Sequence, residues 1–196
     1  METRTKVLRT LGVLGVVAAL AATGVFSAFS SQTDSPGNVV TAGTVTLSDN
    51  DGGSALYSLP AAKPGDSATS CIEVAYGGTL DSTVKLYTTG AIGDLGEHVE
   101  LEIEPGTQAS PSFPSCNGFT PDAGGALFDG TLDDFAAAHS SYANGLADNP
   151  GTSVSAWTTD DSVVYRVTAT LAANTPADAQ GDSTGAHALR WEAQNQ

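Results

Sequence analysis

The stretch HVELEIEP, residues 98–105, alternates strictly: His98, Glu100, Glu102 and Glu104 fall on one side, Val99, Leu101 and Ile103 on the other. Period two over this length marks a strand with one solvated face and one core face. The spacing of the three glutamates is that of a wet strand face, and it is read as such in preference to a cation site. The same alternation recurs outward in both directions. SCIEVAY (residues 70–76) sets Ile72, Val74 and Tyr76 against Cys71, Glu73 and Ala75, and STVKLYT (82–88) sets Val84 and Leu86 against Lys85 and Tyr87. SVVYRVTATLAA (162–173) places Val163, Tyr165, Val167, Ala169 and Leu171 on one face, and AHALRWEAQ (186–194) does so with Leu189 and Trp191. Two further strands are expected in VVTAGTVTLSD (39–49) and SALYSL (54–59).

Turn chemistry separates these runs. DNDGG (49–53), KPGD (63–66) and GGTLD (77–81) are rich in the residues that tolerate turn geometry, and Pro64-Gly65 suits the centre of a type II turn. Residues 105–125 form a long Pro/Gly/Ser loop. TLDDFAAAHSSYANGL (131–146) holds the one helical pattern after the N-terminal region, with Leu132, Phe135, Tyr142 and Leu146 near one face. Thr131 is its expected cap, and Asp133 and Asp134 complement the positive end of the helix dipole. Seven or so short strands with one short helix predict a mainly β protein, a two-sheet antiparallel sandwich of jelly-roll type.

The N-terminus has a different character. Arg4, Lys6 and Arg9 precede the uncharged run LGVLGVVAALAATGV (11–25), which has the length of a signal-peptide core and is short for a membrane span. Residues 1–27 are therefore read as a helical signal peptide cut between Ser27 and Ala28. A cut after Ser30 is the second choice, and an uncleaved anchor extended by Phe26 and Phe29 is the alternative. The polar, turn-rich residues 28–38 read as an arm and residues 39–196 as the domain.

The protein has 22 acidic and 7 basic residues. Glu2, Arg4, Lys6 and Arg9 lie in the leader, so 21 acidic and 4 basic residues remain and the exported part has a charge of −17. Such a surface repels nucleic acid and anionic membranes, and it suits solubility in a salty exterior. The two cysteines, Cys71 and Cys116, both lie in the exported part, where an even pair oxidises to a disulfide.

Catalytic signatures are missing from the sequence. HExxH, GxSxG, a Gly-rich phosphate loop and a complete EF-hand loop do not occur, and His98, His139 and His187 do not cluster with the cysteines as metal ligands do. His139 beside Ser140 and Ser141 is not a triad, which must be assembled in space. Trp157 and Trp191 suit sugar stacking, but tryptophan in a strand-rich sequence is more often core. No enzyme activity, cofactor or metal is expected.

GVFSAFSSQTDSPGNVVTAGTVTLSDND (24–51), LYSLPAAKPGD (56–66) and LRWEAQNQ (189–196) together resemble the TasA/camelysin family: an aromatic-containing cleavage region, an Ala-Phe start, an "AGT" strand, a Pro-Gly-Asp turn and a Trp-Glu-Ala-Gln ending. The resemblance covers both ends and the first third of the exported part and leaves residues 88–155 without an anchor. It implies a jelly-roll domain, processing by a SipW-type signal peptidase, and a secreted subunit of cell-surface or biofilm-matrix fibres. It also implies strand donation to another copy or a related matrix subunit by an arm starting Ala28, Phe29, Ser30, Ser31, with Phe29 as apolar plug. The camelysin branch implies a metalloendopeptidase as one alternative, but no zinc-ligand motif is here to carry it. A monomeric surface adhesin is the other.

Overall fold

Inward-facing alternation drives two sheets together in the computed structural model, which describes residues 41–150 and 156–196. The strands among the described residues are β1 (Leu47–Asp49), β2 (Ser67–Tyr76), β3 (Ser82–Thr89), β4 (Val99–Gln108), β5 (Phe119–Pro121), β6 (Phe128–Thr131), β7 (Leu146–Asp148), β8 (Ser162–Leu171) and β9 (Ala188–Asn195), with one α-helix there, α1 (Leu132–Ala138), after β6. One sheet runs β1-β2-β8-β4-β5, with β6 also pairing to β4; the other runs β7-β3-β9. Every pairing is antiparallel. The protein is mainly β, in two antiparallel sheets, as the strand alternation predicts.

Strand β8 lies at the centre of the larger sheet, between β2 and β4. Its predicted face, Val163, Tyr165, Val167, Ala169 and Leu171, is buried throughout. Burying each large side chain contributes about 1.5–3 kcal/mol. A one-residue slip would drive Arg166, Thr168 and Thr170 into that core, so the register is firmly set. Ile72, Val74 and Tyr76 of β2, Leu101 and Ile103 of β4, and Val84 and Leu86 of β3 complete the layer between the sheets. Trp157 is wholly buried, whereas Trp191 is only half-buried and packs against that core with its ring 5.2 Å from the ring of Tyr165.

Several expectations need correction. Residues 54–59 are not a strand: Leu56 and Tyr57 pack against the core from an irregular strap, because an apolar pair can be buried without a ladder. The first strand covers only Leu47–Asp49, and Val45 is exposed. His98 belongs to a 3-10 turn, Asp94–His98, and β4 continues past Pro105 to Gln108. Proline is tolerated there because the Pro105 carbonyl accepts from Asp122 N–H, so its missing donor faces the gap where the partner strand changes from β6 to β5. The helix stops at Ala138, short of Tyr142 and Leu146, which lie in a 3-10 turn and in β7. Its cap is the expected one: Thr131 Oγ1 accepts from Asp134 N–H at 3.0 Å.

The face with the glutamates is wet at one end only. Cys71 points away from the sheet-to-sheet core yet is buried, because its disulfide to Cys116 holds the 109–118 loop across the outside of the large sheet. Beneath that loop Arg166 Nε donates to Glu104 Oε2 at 2.6 Å, and the guanidinium lies 4.9 Å from the centre of the Phe119 ring. Glu100, further along β4, remains exposed.

Candidate functional site

Among the described residues the smaller sheet has three strands, too few to cover the larger one. Strand β9 is its edge, paired to β3 alone among the described residues. Ladder geometry tells which backbone groups are left over. Gln196 N–H donates to Asp81 O, in register with the Ser82–Asn195 pair. Even-numbered residues of β9 therefore face β3. On the far side of β3, Ser82 N–H bonds Trp157 O and Thr88 N–H bonds His139 O, which fits the same alternation. The N–H and C=O groups of Leu189, Trp191, Ala193 and Asn195 consequently point to the open edge.

Their side chains point inward. Leu189 and Trp191 form one wall of a groove whose other wall is Leu47 of β1 and Ile72 and Val74 of β2. This part encloses about 220 Å³. Past Leu189 the groove widens to about 580 Å³ against Leu56, Tyr57, Leu95, Val99 and Leu171. Asp49, Asp51 and Arg190 stand along the narrow part and Asp182 along the wide part.

Two straps close the wide part. Tyr57, from the 54–62 segment, donates its hydroxyl proton to His187 Nε2 at 2.5 Å. His187 Nδ1 lies 3.1 Å from Gly185 O, so Nδ1 carries the proton and Nε2 is the acceptor. Burial pushes the Tyr57 hydroxyl up to about 12, so it stays a donor at any physiological pH. On the outer face, Tyr87 Oη donates to Glu192 Oε2 at 2.5 Å, and this bond, with a second from Gln194, holds the Glu192 carboxyl below its usual range. β9 is thus pinned to β3, while among the described residues its other edge has no partner strand.

Between the sheets, Asp148 Oδ2, Tyr165 Oη and Trp191 Nε1 are buried together without well-aligned hydrogen bonds. They are close enough that the Asp148 charge adds to burial in pushing the Tyr165 hydroxyl up. Burial likewise raises the Asp148 carboxyl, partly offset by the nearby Tyr165 hydroxyl and by a hydrogen bond from Asn149 N–H.

The disulfide Cys71–Cys116 lies on the outer face of the large sheet, on the side of β2 away from this groove. Ser27, Ala28, Phe29, Ser30 and Ser31 fall outside the described residues. His139 faces the backbone, its Nδ1 2.8 Å from Asn144 O, and makes no contact with a serine hydroxyl that resembles a triad. Among the described residues no three His, Cys, Asp or Glu side chains are grouped to hold a metal ion, and no helix is long and apolar enough to cross a membrane. The groove itself went unread in the sequence, because its walls come from six separate segments and an open edge depends on strand order. What it offers is chemical and simple: a row of backbone donors and acceptors that no described residue pairs, beside apolar pockets. Comparison with protein-family models and with curated proteins finds no match to this sequence.

Proposed function

We propose that this protein is a secreted structural protein of the bacterial cell surface or extracellular matrix, assembling into fibres by strand donation in the manner of the TasA/camelysin family, on a jelly-roll scaffold. The open edge of β9 beside an apolar groove carries the reading. Cleavage between Ser27 and Ala28 releases residues 28–38, and that arm adds as a strand to β9 of the next subunit. An extended arm reaches about 36 Å and the eight residues of β9 about 26 Å, at ~3.3 Å per residue, so the arm spans the edge with slack for a linker. Backbone pairing supplies affinity, and side chains seated in pockets set the register. Phe29 is the apolar plug: the 580 Å³ cavity is large enough for its ring, whose burial contributes about 1.5–3 kcal/mol.

The charge of the exported part works against close packing of identical subunits, so assembly is favoured by salt that shortens the screening length, about 10 Å at 0.1 M. The test compares the protein beginning at Ala28 with one beginning at Val39 by electron microscopy. Filaments from the first and none from the second are expected; filaments from both would refute strand donation.

A further inference from the structure

The geometry points to Asn117 as a site of spontaneous deamidation, and to Asn144 as an Asn-Gly site that hydrogen bonds hold unreactive. Asn117-Gly118 and Asn144-Gly145 are the only Asn-Gly pairs in the sequence. This dipeptide is the most reactive for the reaction because glycine leaves its own nitrogen unobstructed. The Gly118 nitrogen, its proton lost to solvent base, attacks Asn117 Cγ; the Cγ–Nδ2 bond breaks and ammonia leaves. Water then opens the succinimide at either carbonyl, giving aspartate or isoaspartate. Overall, one water is consumed and one ammonia released.

Both asparagines are exposed, and the two sites differ in how their reacting groups are hydrogen-bonded. Asn117 and Gly118 are exposed, at the centre of a turn closed by Phe119 N–H to Cys116 O at 3.1 Å, which leaves Gly118 N–H outside the turn bond. Gly118 has φ of +77°, and the space around its Cα is open to at least 4 Å where a Cβ would stand. The Asn117 backbone is held, with its N–H on Ser115 Oγ and its carbonyl on Gln108 Nε2, but no bond to its side-chain amide restrains the reacting group. Asn144 is clamped instead. Its Oδ1 accepts from Ser140 N–H, Ser141 N–H and Ser141 Oγ, its Nδ2 donates to Ser140 Oγ, and Gly145 N–H is engaged by Tyr142 O.

The product matters because of where it forms. Isoaspartate at 117 adds a methylene to the backbone inside the turn beside Cys116, between the Gln108 anchor and the Phe119 ring that covers Arg166. The 109–118 loop would then remain tethered by its disulfide while losing its seat on the outer face of the large sheet.

The experiment holds the folded, oxidised protein at warm, mildly alkaline pH in ¹⁸O-labelled water, then maps peptides by mass spectrometry. Label is expected at residue 117, with isoaspartate exceeding aspartate, at least about tenfold faster than at 144, the factor that ~1.4 kcal/mol of hydrogen bonding at Asn144 supplies. In the reduced, denatured protein the two sites should react at similar rates. Equal rates in the folded protein, or a difference that survives denaturation, would overturn the proposal.

Discussion

Two adjacent proline substitutions separate the two edges of β9. Gln194 faces β3, where its N–H bonds the carbonyl of Thr83; Ala193 faces the open edge. Gln194→Pro removes that bond, at about 1 kcal/mol, and drives its ring against β3, for a total of about 2–3 kcal/mol, although the Thr83 carbonyl still accepts from Tyr142 Oη at 3.0 Å. At ~2–4 °C per kcal/mol for a domain of this size, the melting temperature should fall by about 4–12 °C. Ala193→Pro removes a donor that no described residue uses, so its melting temperature should stay within a few degrees of the parent, as proline at a sheet edge does. The same change deletes one bond to an incoming strand and places a ring in its path. A loss of about 2–3 kcal/mol weakens assembly by roughly 30- to 150-fold. Thermal melts followed by circular dichroism give the first quantity, and the critical concentration for filaments gives the second. A folded Ala193→Pro protein that assembles like the parent would refute donation onto β9. Equal destabilisation by the two variants would refute the facing of the ladder.

Three other perturbations test the framework. Cys71→Ser should cost about 4 kcal/mol from the 45-residue loop, or about 8–16 °C in melting temperature, under oxidising conditions, and the parent should fall to meet it in reductant. Asp148 has its folded carboxyl raised above 3.8 by burial, so the folded state binds the proton more tightly and stability falls as pH rises through that raised value. Asp148→Asn should therefore raise the melting temperature at neutral pH and leave it unchanged well below pH 3.8, measured by melts across the range. Arg166→Met should leave Glu104 without its cation and lower stability by about 1–3 kcal/mol in urea titrations, whereas adding Glu104→Leu should recover most of the loss.

Much of the scaffold was legible because alternation is a local property. The inward face of β8 could be read residue by residue, as could the Thr131 cap and the turn at Pro64-Gly65, where Gly65 has φ of +92° and Asp66 N–H bonds Lys63 O. What failed was non-local. Leu56 and Tyr57 look like part of a strand, but strap and strand bury the same pair of side chains, and nothing in six residues says whether a partner strand lies alongside. Cys71 occupies an outward position of β2, and only the loop brought over it by Cys116 makes it buried. The helical pattern ran on to Leu146 because Tyr142 continues the spacing, while the Asn144 side chain bonds Ser140 and Ser141 and reverses the backbone just past Ala138. The groove is the extreme case: Leu47, Ile72, Leu171 and Leu189 share no common motif and meet only when β9 ends the small sheet.

Hydrogen exchange at β9 tests the central claim most directly. The protein beginning at Val39 is titrated with a synthetic peptide of residues 28–38, and exchange of the β9 amides is followed by NMR. Strand donation predicts saturable slowing at Leu189, Trp191, Ala193 and Asn195, with Arg190, Glu192 and Gln194, already bonded to β3, little changed. Binding that leaves the four odd-numbered amides exchanging as before, or no binding at all, would contradict it.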